Sequence, residues 1–352
     1  MTILVTGGAG FIGSNLVRTL QSARPEARIV VIDDFRSGTF ANLSCERLSE
    51  AEANAEVPDE ASTASPKTCG GCESFSFAGQ VIARPLHELD LEAVIQRFDP
   101  EIIFHEASIT DTRVTDEAKM IAENVEPFET LLAIAVKRGC KLVWASSAAT
   151  YGRHANGAAA QRRPFRLEDA GHPANVYGFS KWIMENLHRQ MQRRHPRAHI
   201  VGLRYFNVFG PGETHKGPMA SMVHQLACQM LNGQRPRIFH DGEQARDQVF
   251  VRDVVECTIA AAHENARYGI YNLGSGAATS FNQIVASLNE ALGTDLEPEY
   301  FDNPFPFYQD FTCAELTETR AALNWTPRYS AHQGIFEYAR TLRSDVPTCD
   351  AR

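Results

Sequence analysis

The chain of 352 residues contains no uninterrupted apolar stretch long enough to cross a bilayer, so no segment reads as a membrane span. It has no surplus of positive charge. Its 34 Lys and Arg stand against 43 Asp and Glu, for a net charge of -9. So acidic a chain is a poor non-specific binder of nucleic acid, although a local basic patch could still hold an anionic ligand. The cysteines lack the arrangement that metals need. Of eight Cys, only Cys69 and Cys72 form a close pair, with Cys45 upstream. A structural zinc site takes four ligands, usually from two such pairs, and no second pair exists. The thiols therefore read as reduced and metal-free, with a regulatory disulfide as the minor alternative. Internal repeats are absent too.

What is present begins at once. Ile3 to Val5 is an apolar run that predicts a buried strand. It ends in Gly7-Gly8-Ala9-Gly10-Phe11-Ile12-Gly13, after which Ser14 to Leu20 predicts a helix. A strand, a tight turn and a helix N-terminus together suit the pyrophosphate of a dinucleotide. Gly7 and Gly10 permit the turn and a close backbone approach, and Gly13 lets the helix pack on the strand. A Gly triplet alone is a weak signal, since any tight strand-to-helix turn can use one. Here the next strand, Arg28 to Ile32, ends at Asp33. An acidic residue about 20 residues on is the expected partner of a ribose hydroxyl. The loop opens so early that no signal peptide is expected, and the protein reads as cytoplasmic.

Hydrophobic residues make up 43% and charged residues 22% of the chain, an ordinary globular composition. The length suits one nucleotide-binding domain with a smaller lobe. Strands at Glu101 to His105, Lys141 to Ser146 and Ile200 to Tyr205 alternate with helices at Val125 to Lys137 and Tyr177 to Arg194. The alternation predicts an α/β fold, a doubly wound parallel sheet of Rossmann type, over residues 1–208. Residues 43–79 interrupt it. They are rich in Ala, Glu and Ser, include Pro58 and Pro66, and read as a surface insertion. After Gly210-Pro211-Gly212 the pattern loosens. Helices at Met219 to Leu231 and Phe281 to Leu292 predict a smaller, mainly helical C-terminal lobe over residues 209–345, with parts of 247–275 returning to the first unit.

The segment that carries chemistry is Tyr177-Gly-Phe-Ser-Lys181, preceded by Ser146-Ser147-Ala148-Ala149-Thr150-Tyr151. Residues four apart on a helix share a face. A Lys181 ammonium beside the Tyr177 phenol would lower its pKa toward neutrality. A phenolate can take a proton from an alcohol as hydride leaves for nicotinamide. Ser147, at a strand end, can hydrogen-bond the same oxygen. Alone, such a Tyr and Lys would be a solvated helix face; beside the Gly loop they read as catalytic.

These motifs resemble the extended short-chain dehydrogenase/reductases, the nucleotide-sugar epimerases and dehydratases. Ala145-Ser-Ser-Ala-Ala-Thr-Tyr-Gly152, Asn175-Val-Tyr-Gly178, Arg204-Tyr-Phe-Asn-Val-Phe-Gly-Pro211, His215-Lys-Gly-Pro-Met-Ala-Ser221, Arg246-Asp247 and Tyr308-Gln-Asp-Phe-Thr312 resemble in particular the ADP-L-glycero-D-manno-heptose 6-epimerases. The resemblance covers nearly the whole chain outside the insertion. It implies a tightly bound NAD or NADP, regenerated in each cycle, contacted by Phe11, Ile12, Asp33, Asp34, Arg36, Glu106, Ala107, Ser108, Ile109, Thr110, Asn124, Val208 and Lys216. It makes Tyr177 and Lys216 the two acid/base groups and gives Lys181 the nicotinamide ribose. It gives the substrate Ser147, Asn207, Pro218, Gln225, Phe239, His240, Asp241, Gly242, Arg246 and Tyr308. A guanidinium such as that of Arg246 matches a diphosphate, with a surface ion pair to Asp247 as the competing reading.

The implied substrate is a nucleotide-diphosphate heptose on the way to the lipopolysaccharide core, and the implied assembly is a homo-oligomer. Four positions depart from the pattern: Pro218 replaces a frequent Ser, Gln225 a His, Phe40 a Lys, and Pro85-Leu86 an Asp. Asp33 favours NAD, because a carboxylate repels a 2′-phosphate, whereas the resembled enzymes commonly use NADP. A dehydratase would carry an acidic pair where this chain has Ala148 and Ala149, which argues against elimination. A 4-epimerase of another nucleotide-sugar and a catalytically silent NAD(P)-binding sensor are the alternatives.

Overall fold

Short runs of branched apolar residues build the centre of the molecule because helices cover both of their faces. The computed structural model describes residues 1–44, 77–152, 162–302 and 309–344. The strands are β1 (Thr2–Thr6), β2 (Arg28–Asp33), β3 (Gln80–Ala83), β4 (Ile102–His105), β5 (Lys141–Ser147) and β6 (Ile200–Tyr205). They continue as β7 (Asn207–Phe209), β8 (Arg237–Phe239), β9 (Ala245–Phe250), β10 (Gly269–Leu273), β11 (Ala278–Ser280) and β12 (Glu299–Phe301).

Seven of them form one parallel sheet in the order β10-β6-β5-β4-β1-β2-β3. From β1 the chain winds outward through β2 and β3; from β4 it winds the other way through β5 and β6. The reversal lies between β1 and β4, and ligands of such sheets bind outside the strand ends there. The fold is thus the doubly wound α/β sheet that the alternation predicts. Neighbouring residues point to opposite faces. Ile3, Val5, Val31, Phe104 and Val143 fill one core layer, and Leu4, Val30, Ile103, Leu142 and Trp144 fill the other.

A further apolar cluster gathers Phe209, Leu226, Ile238, Phe281 and Ile335, together with Phe11 from the start of the first helix. It lies among the Met222–Leu231, Phe281–Leu292 and Ala331–Ser344 helices. Two helix starts differ from the sequence reading by three residues each. The first helix is Phe11–Ala23, so Gly13 lies inside its opening turn and not before it. Low helix propensity hides the start, but Gly13 is there for closeness: a Cβ on it would stand 2.1 Å from the Gly7 carbonyl oxygen. The helix expected from Met219 starts at Met222, because Ser221 caps it and the preceding residues form a tight turn through Gly217 and Pro218. Most of the expected 43–79 insertion, with Cys45, Cys69 and Cys72, lies outside the described residues. Among those described, no helix is long and apolar enough to cross a membrane.

Candidate active site

The Gly-rich loop leaves β1 at the sheet's reversal point. Gly7 donates its N–H to the Ile32 carbonyl at 2.7 Å and adopts φ +70°. A Cβ there would lie 2.6 Å from the Ala107 nitrogen. Gly10 caps the Phe11–Ala23 helix without any side-chain hydrogen bond, and the first turn holds no acidic residue. The positive end of the helix dipole therefore faces no protein carboxylate of its own first turn. This cradle, too close for any side chain, fits a dinucleotide pyrophosphate.

Asp33 closes the loop from β2. Its two oxygens accept the Ala9 N–H at 2.9 Å and the Phe35 N–H at 2.8 Å. Burial raises its pKa against those bonds. Next to it, Arg36 pairs with both Asp34 and Glu123. Phe40 stacks on Phe35 with ring centroids 4.1 Å apart. On the β4 side, Ala107 donates to Thr6 Oγ1 at 3.3 Å, and Asn124 grips Ile109 through N–H to Oδ1 (2.7 Å) and Nδ2 to carbonyl (3.1 Å). Ser108 is half-buried and Thr110 is exposed beside them.

Tyr177, Lys181 and Ser147 meet where β5 ends. The Val176–Arg194 helix starts at Asn175, whose Oδ1 accepts the Gly178 N–H at 2.7 Å. Lys181 is 2% exposed, donates to the Ala145 carbonyl at 2.8 Å and stands 5.9 Å from the centroid of the Tyr177 ring. The Ser147 hydroxyl, which accepts the Ala149 N–H at 3.1 Å, acts on the Tyr177 phenol to favour its ionised form. Burial nevertheless raises the Tyr177 pKa; Ser147 opposes the rise and Glu106 adds to it. This departs from the expectation that the Lys181 ammonium would lower the phenol toward neutrality: Lys181 donates to the Ala145 carbonyl, and desolvation dominates at the phenol. Burial also pushes Lys181 down to about 8, against the pull of Glu106. Glu106 accepts from the Tyr205 hydroxyl at 2.9 Å, and burial pushes it up to about 7.

One turn beyond Lys181, Glu185 anchors this helix to the sheet. Arg204 on β6 grips it with two bonds of 2.7 and 2.8 Å, Arg189 adds one at 2.7 Å and the Ser146 hydroxyl another at 2.7 Å. Arg204 also donates to the Tyr151 oxygen at 2.8 Å, and Tyr151 donates to Asn272 on β10 at 2.6 Å. Although burial opposes it, the two guanidiniums hold Glu185 below the usual carboxylate range. Every charge in this buried cluster has a bidentate or hydrogen-bonded partner, which is the condition for keeping it buried.

Lys216 arrives from another direction. It sits on the tight turn Thr214–Met219, and its ammonium lies 5.3 Å from the centroid of the Phe11 ring. Burial lowers its pKa, and Glu213 opposes that. Among the described residues, Lys216 is seen against Phe11 and Glu213, whereas Tyr177 is seen against Ser147, Lys181 and Glu106. The two candidate bases thus occupy separate surroundings.

The remaining candidates lie on or beside β7, β8, β9 and the Met222–Leu231 helix. Asn207 on β7 is exposed, Val208 follows it, and both pair with β9, which carries Arg246. Gln225 turns inward to its own loop, donating to the Ala220 carbonyl at 2.8 Å and the Pro218 carbonyl at 3.3 Å. Phe239, His240, Asp241 and Gly242 form the turn after β8, with φ +51° at His240 and +73° at Gly242. Asp247 gives its oxygens to the N–H groups of Ser275, Gly276 and Ala314 and to the Ser275 hydroxyl. It is therefore a structural anchor for the β10–β11 turn. Tyr308 lies outside the described residues. Sequence reasoning missed Glu185, Arg204 and Glu213. The only signal for Glu213 was an acidic residue three before Lys216; nothing local marks the other two.

The model of the NAD dependent epimerase/dehydratase family matches residues 3–274. Among solved structures, the Helicobacter pylori ADP-L-glycero-D-manno-heptose-6-epimerase is 32% identical at a TM-score of 0.79, over 97% of this chain and 96% of that one. The Thermotoga maritima UDP-glucose 4-epimerase with UDP-glucose is 26% identical at 0.79, over 98% and 100%. The Methanobrevibacter ruminantium UDP-N-acetylglucosamine 4-epimerase, in complex with UDP-N-acetylmuramic acid, shares the fold at 0.80 with 23% identity, over 98% of each chain. With its Gly-rich cradle and its Ser147, Tyr177 and Lys181 cluster in place, the chain belongs to the NAD dependent epimerase/dehydratase family and is an NAD-dependent enzyme.

Proposed function

We propose that the enzyme is a nucleotide-sugar epimerase whose substrate is ADP-D-glycero-D-manno-heptose, inverted at the heptose 6-position to give the L-glycero epimer for lipopolysaccharide core synthesis. The observation that carries this reading is Lys216. It stands in the His215-Lys216-Gly217 run as a second, half-buried base apart from Tyr177. The 32% identity to the Helicobacter enzyme supports the same substrate. When bound, the nicotinamide accepts a hydride from the substrate carbon and returns it.

The chain's own residues handle protons and position. Tyr177, with Ser147 favouring its phenolate, takes the hydroxyl proton on one face. Lys181, fixed on the Ala145 carbonyl, supplies positive charge beside the phenolate. The substrate ketone then turns about its carbon–carbon bond, and Lys216 delivers a proton on the opposite face. Ala148 and Ala149 offer no acid to expel water, which leaves epimerisation in place of dehydration. Arg246 and the Phe239–Gly242 turn would hold the nucleotide diphosphate, and Gln225 and Pro218 border the sugar. We also favour NAD over NADP. Arg36, three residues after Asp33, is engaged by Asp34 and Glu123, and Phe40 stands where a Lys would greet a 2′-phosphate. The reading includes a homo-oligomer working in the cytoplasm.

A 4-epimerase of a UDP-sugar is the second reading, favoured by the 26% identity to the Thermotoga enzyme. A panel of ADP-heptose, UDP-glucose and UDP-N-acetylglucosamine, followed by NMR of each product, decides between them. Conversion of ADP-heptose alone supports the first; conversion of UDP-glucose alone replaces it. A protein that binds NAD but turns over none of the three would be a sensor.

A further inference from the structure

The loop from Gly210 to Ser221 carries Lys216, and both of its ends converge on one carboxylate. Glu213 is 0% exposed. Its Oε1 accepts the Gly210 N–H at 3.0 Å and the Ser221 hydroxyl at 2.8 Å, and its Oε2 accepts the Ser221 N–H at 2.6 Å. Its backbone carbonyl accepts the Lys216 N–H at 2.9 Å. Because Ser221 donates its hydroxyl proton to Glu213, its oxygen is left to accept the His224 N–H at 3.1 Å and cap the Met222–Leu231 helix. A carboxylate wholly out of water is costly unless donors converge on it. Here three donors do, and Lys216 supplies the opposing charge.

The outer side of the same loop lies on the Gly-rich loop and its helix. Asn15 donates to the Pro211 carbonyl at 2.8 Å, and the Asn42 amide and His215 Nδ1 are 3.1 Å apart. The Lys216 ammonium rests over Phe11. The loop therefore packs on the start of the Phe11–Ala23 helix, beside the candidate pyrophosphate site, as a strap whose only wholly buried ionisable side chain is at its base.

We propose that Glu213 is the positioning residue of Lys216: its carboxylate clasps the two ends of the strap and so fixes the ammonium at the mouth of the Gly-rich loop. This rests on the acid/base role given above to Lys216. Gly212 and Gly217 make the strap pliant once the clasp is gone, with φ of +95° and +51°. Losing the clasp frees Lys216 from its place without altering Tyr177, Ser147 or Lys181, and loosens the cover over the bound cofactor.

The test uses the purified holoenzyme, Glu213→Gln, Glu213→Ala, Lys216→Met and the Glu213→Gln/Lys216→Met double variant. It reads kcat, KM and the rate at which bound NAD is released on dilution. The amide of Glu213→Gln keeps the shape but turns an NH2 toward the Ser221 N–H. A hydrogen bond to a charged group is worth about 10- to 100-fold, so kcat falls by that order while KM moves less than about threefold. NAD release quickens by about tenfold on the same scale. In the Lys216→Met background, Glu213→Gln changes kcat by less than about twofold, because residues acting through one another do not lose additively. Additive losses, or a Glu213→Gln enzyme with full kcat beside an impaired Lys216→Met enzyme, overturn the proposal. If Lys216→Met itself keeps full kcat, the acid/base reading of Lys216 fails. The clasp then stands or falls on NAD release from the two Glu213 variants.

Discussion

The two lysines of the site are held in opposite ways. Lys181 is buried on a helix that Glu185 and Arg204 fasten to the sheet, so its place is set by the core of the fold. Lys216 rides on a loop that contains Gly210, Gly212 and Gly217 and is fastened at its base by the Glu213 carboxylate. The difference teaches that one active site can combine a fixed half and a strapped half. Tyr177 and Lys181 are tied to the sheet end through Glu185 and Arg204, and Lys216 is tied to one loop through Glu213. The proposed return of hydride to the other face of a turned ketone suits such a division, with one base held by the core and the other by a loop.

The comparison can be broken most severely at the bases. Tyr177→Phe and Lys216→Met each remove a proposed proton-transfer group, and such a group is worth about 100- to 10,000-fold in turnover. With an aldehyde-bearing analogue, the two variants should retain half-reactions of opposite stereochemistry. A Lys216→Met enzyme that only raises KM would show that Lys216 binds and does not transfer protons.

The fixed half can be attacked next. Glu185→Ala strands the buried Arg204 charge, and breaking such a pair costs about 3–5 kcal/mol in stability. Urea unfolding should show that loss. On the strapped side, His215→Ala removes one hydrogen bond to Asn42 and should cost only about 1 kcal/mol. Equal losses at the two positions would erase the distinction between the halves.

Acid offers a gentler probe. Burial pushes His188 to about 4 and His224 to about 4, below the ordinary 6.5. Their unfolded forms take up protons first as the pH falls. The stability held above pH 6.5 is therefore lost progressively between 6.5 and 4 and changes no further below that. A melting temperature that drops across this window, with a shallower slope in His188→Gln, is the expected outcome. A flat profile would mean that these imidazoles are not buried in solution.

The same division explains what the sequence discloses. Gly7, Gly10, Gly13, Tyr177 and Lys181 are legible because local spacing alone places them, on a strand-to-helix turn and on one face of one helix, and Ser147 is legible as the end of an apolar strand. The doubly wound sheet follows from the alternation of apolar runs. Glu185 and Arg204 are 19 residues apart on a helix and a strand, and only the packed sheet shows that they meet. Glu213 reads as an ordinary loop acid until Gly210 and Ser221 fold back onto it. The start of the first helix was hidden by Gly13, whose task is close contact and not helix formation. The Met222–Leu231 boundary was hidden by a cap, Ser221, embedded in an apolar run.

Epimerisation by removal and return of one hydride is tested most directly by turnover of ADP-D-glycero-D-manno-heptose in D2O followed by NMR at the heptose 6-position. The expected product is a mixture of both epimers in which that carbon keeps its original hydrogen, because only hydroxyl protons exchange with solvent. Deuterium at the inverted carbon, or no second epimer from a folded enzyme loaded with NAD, would contradict it.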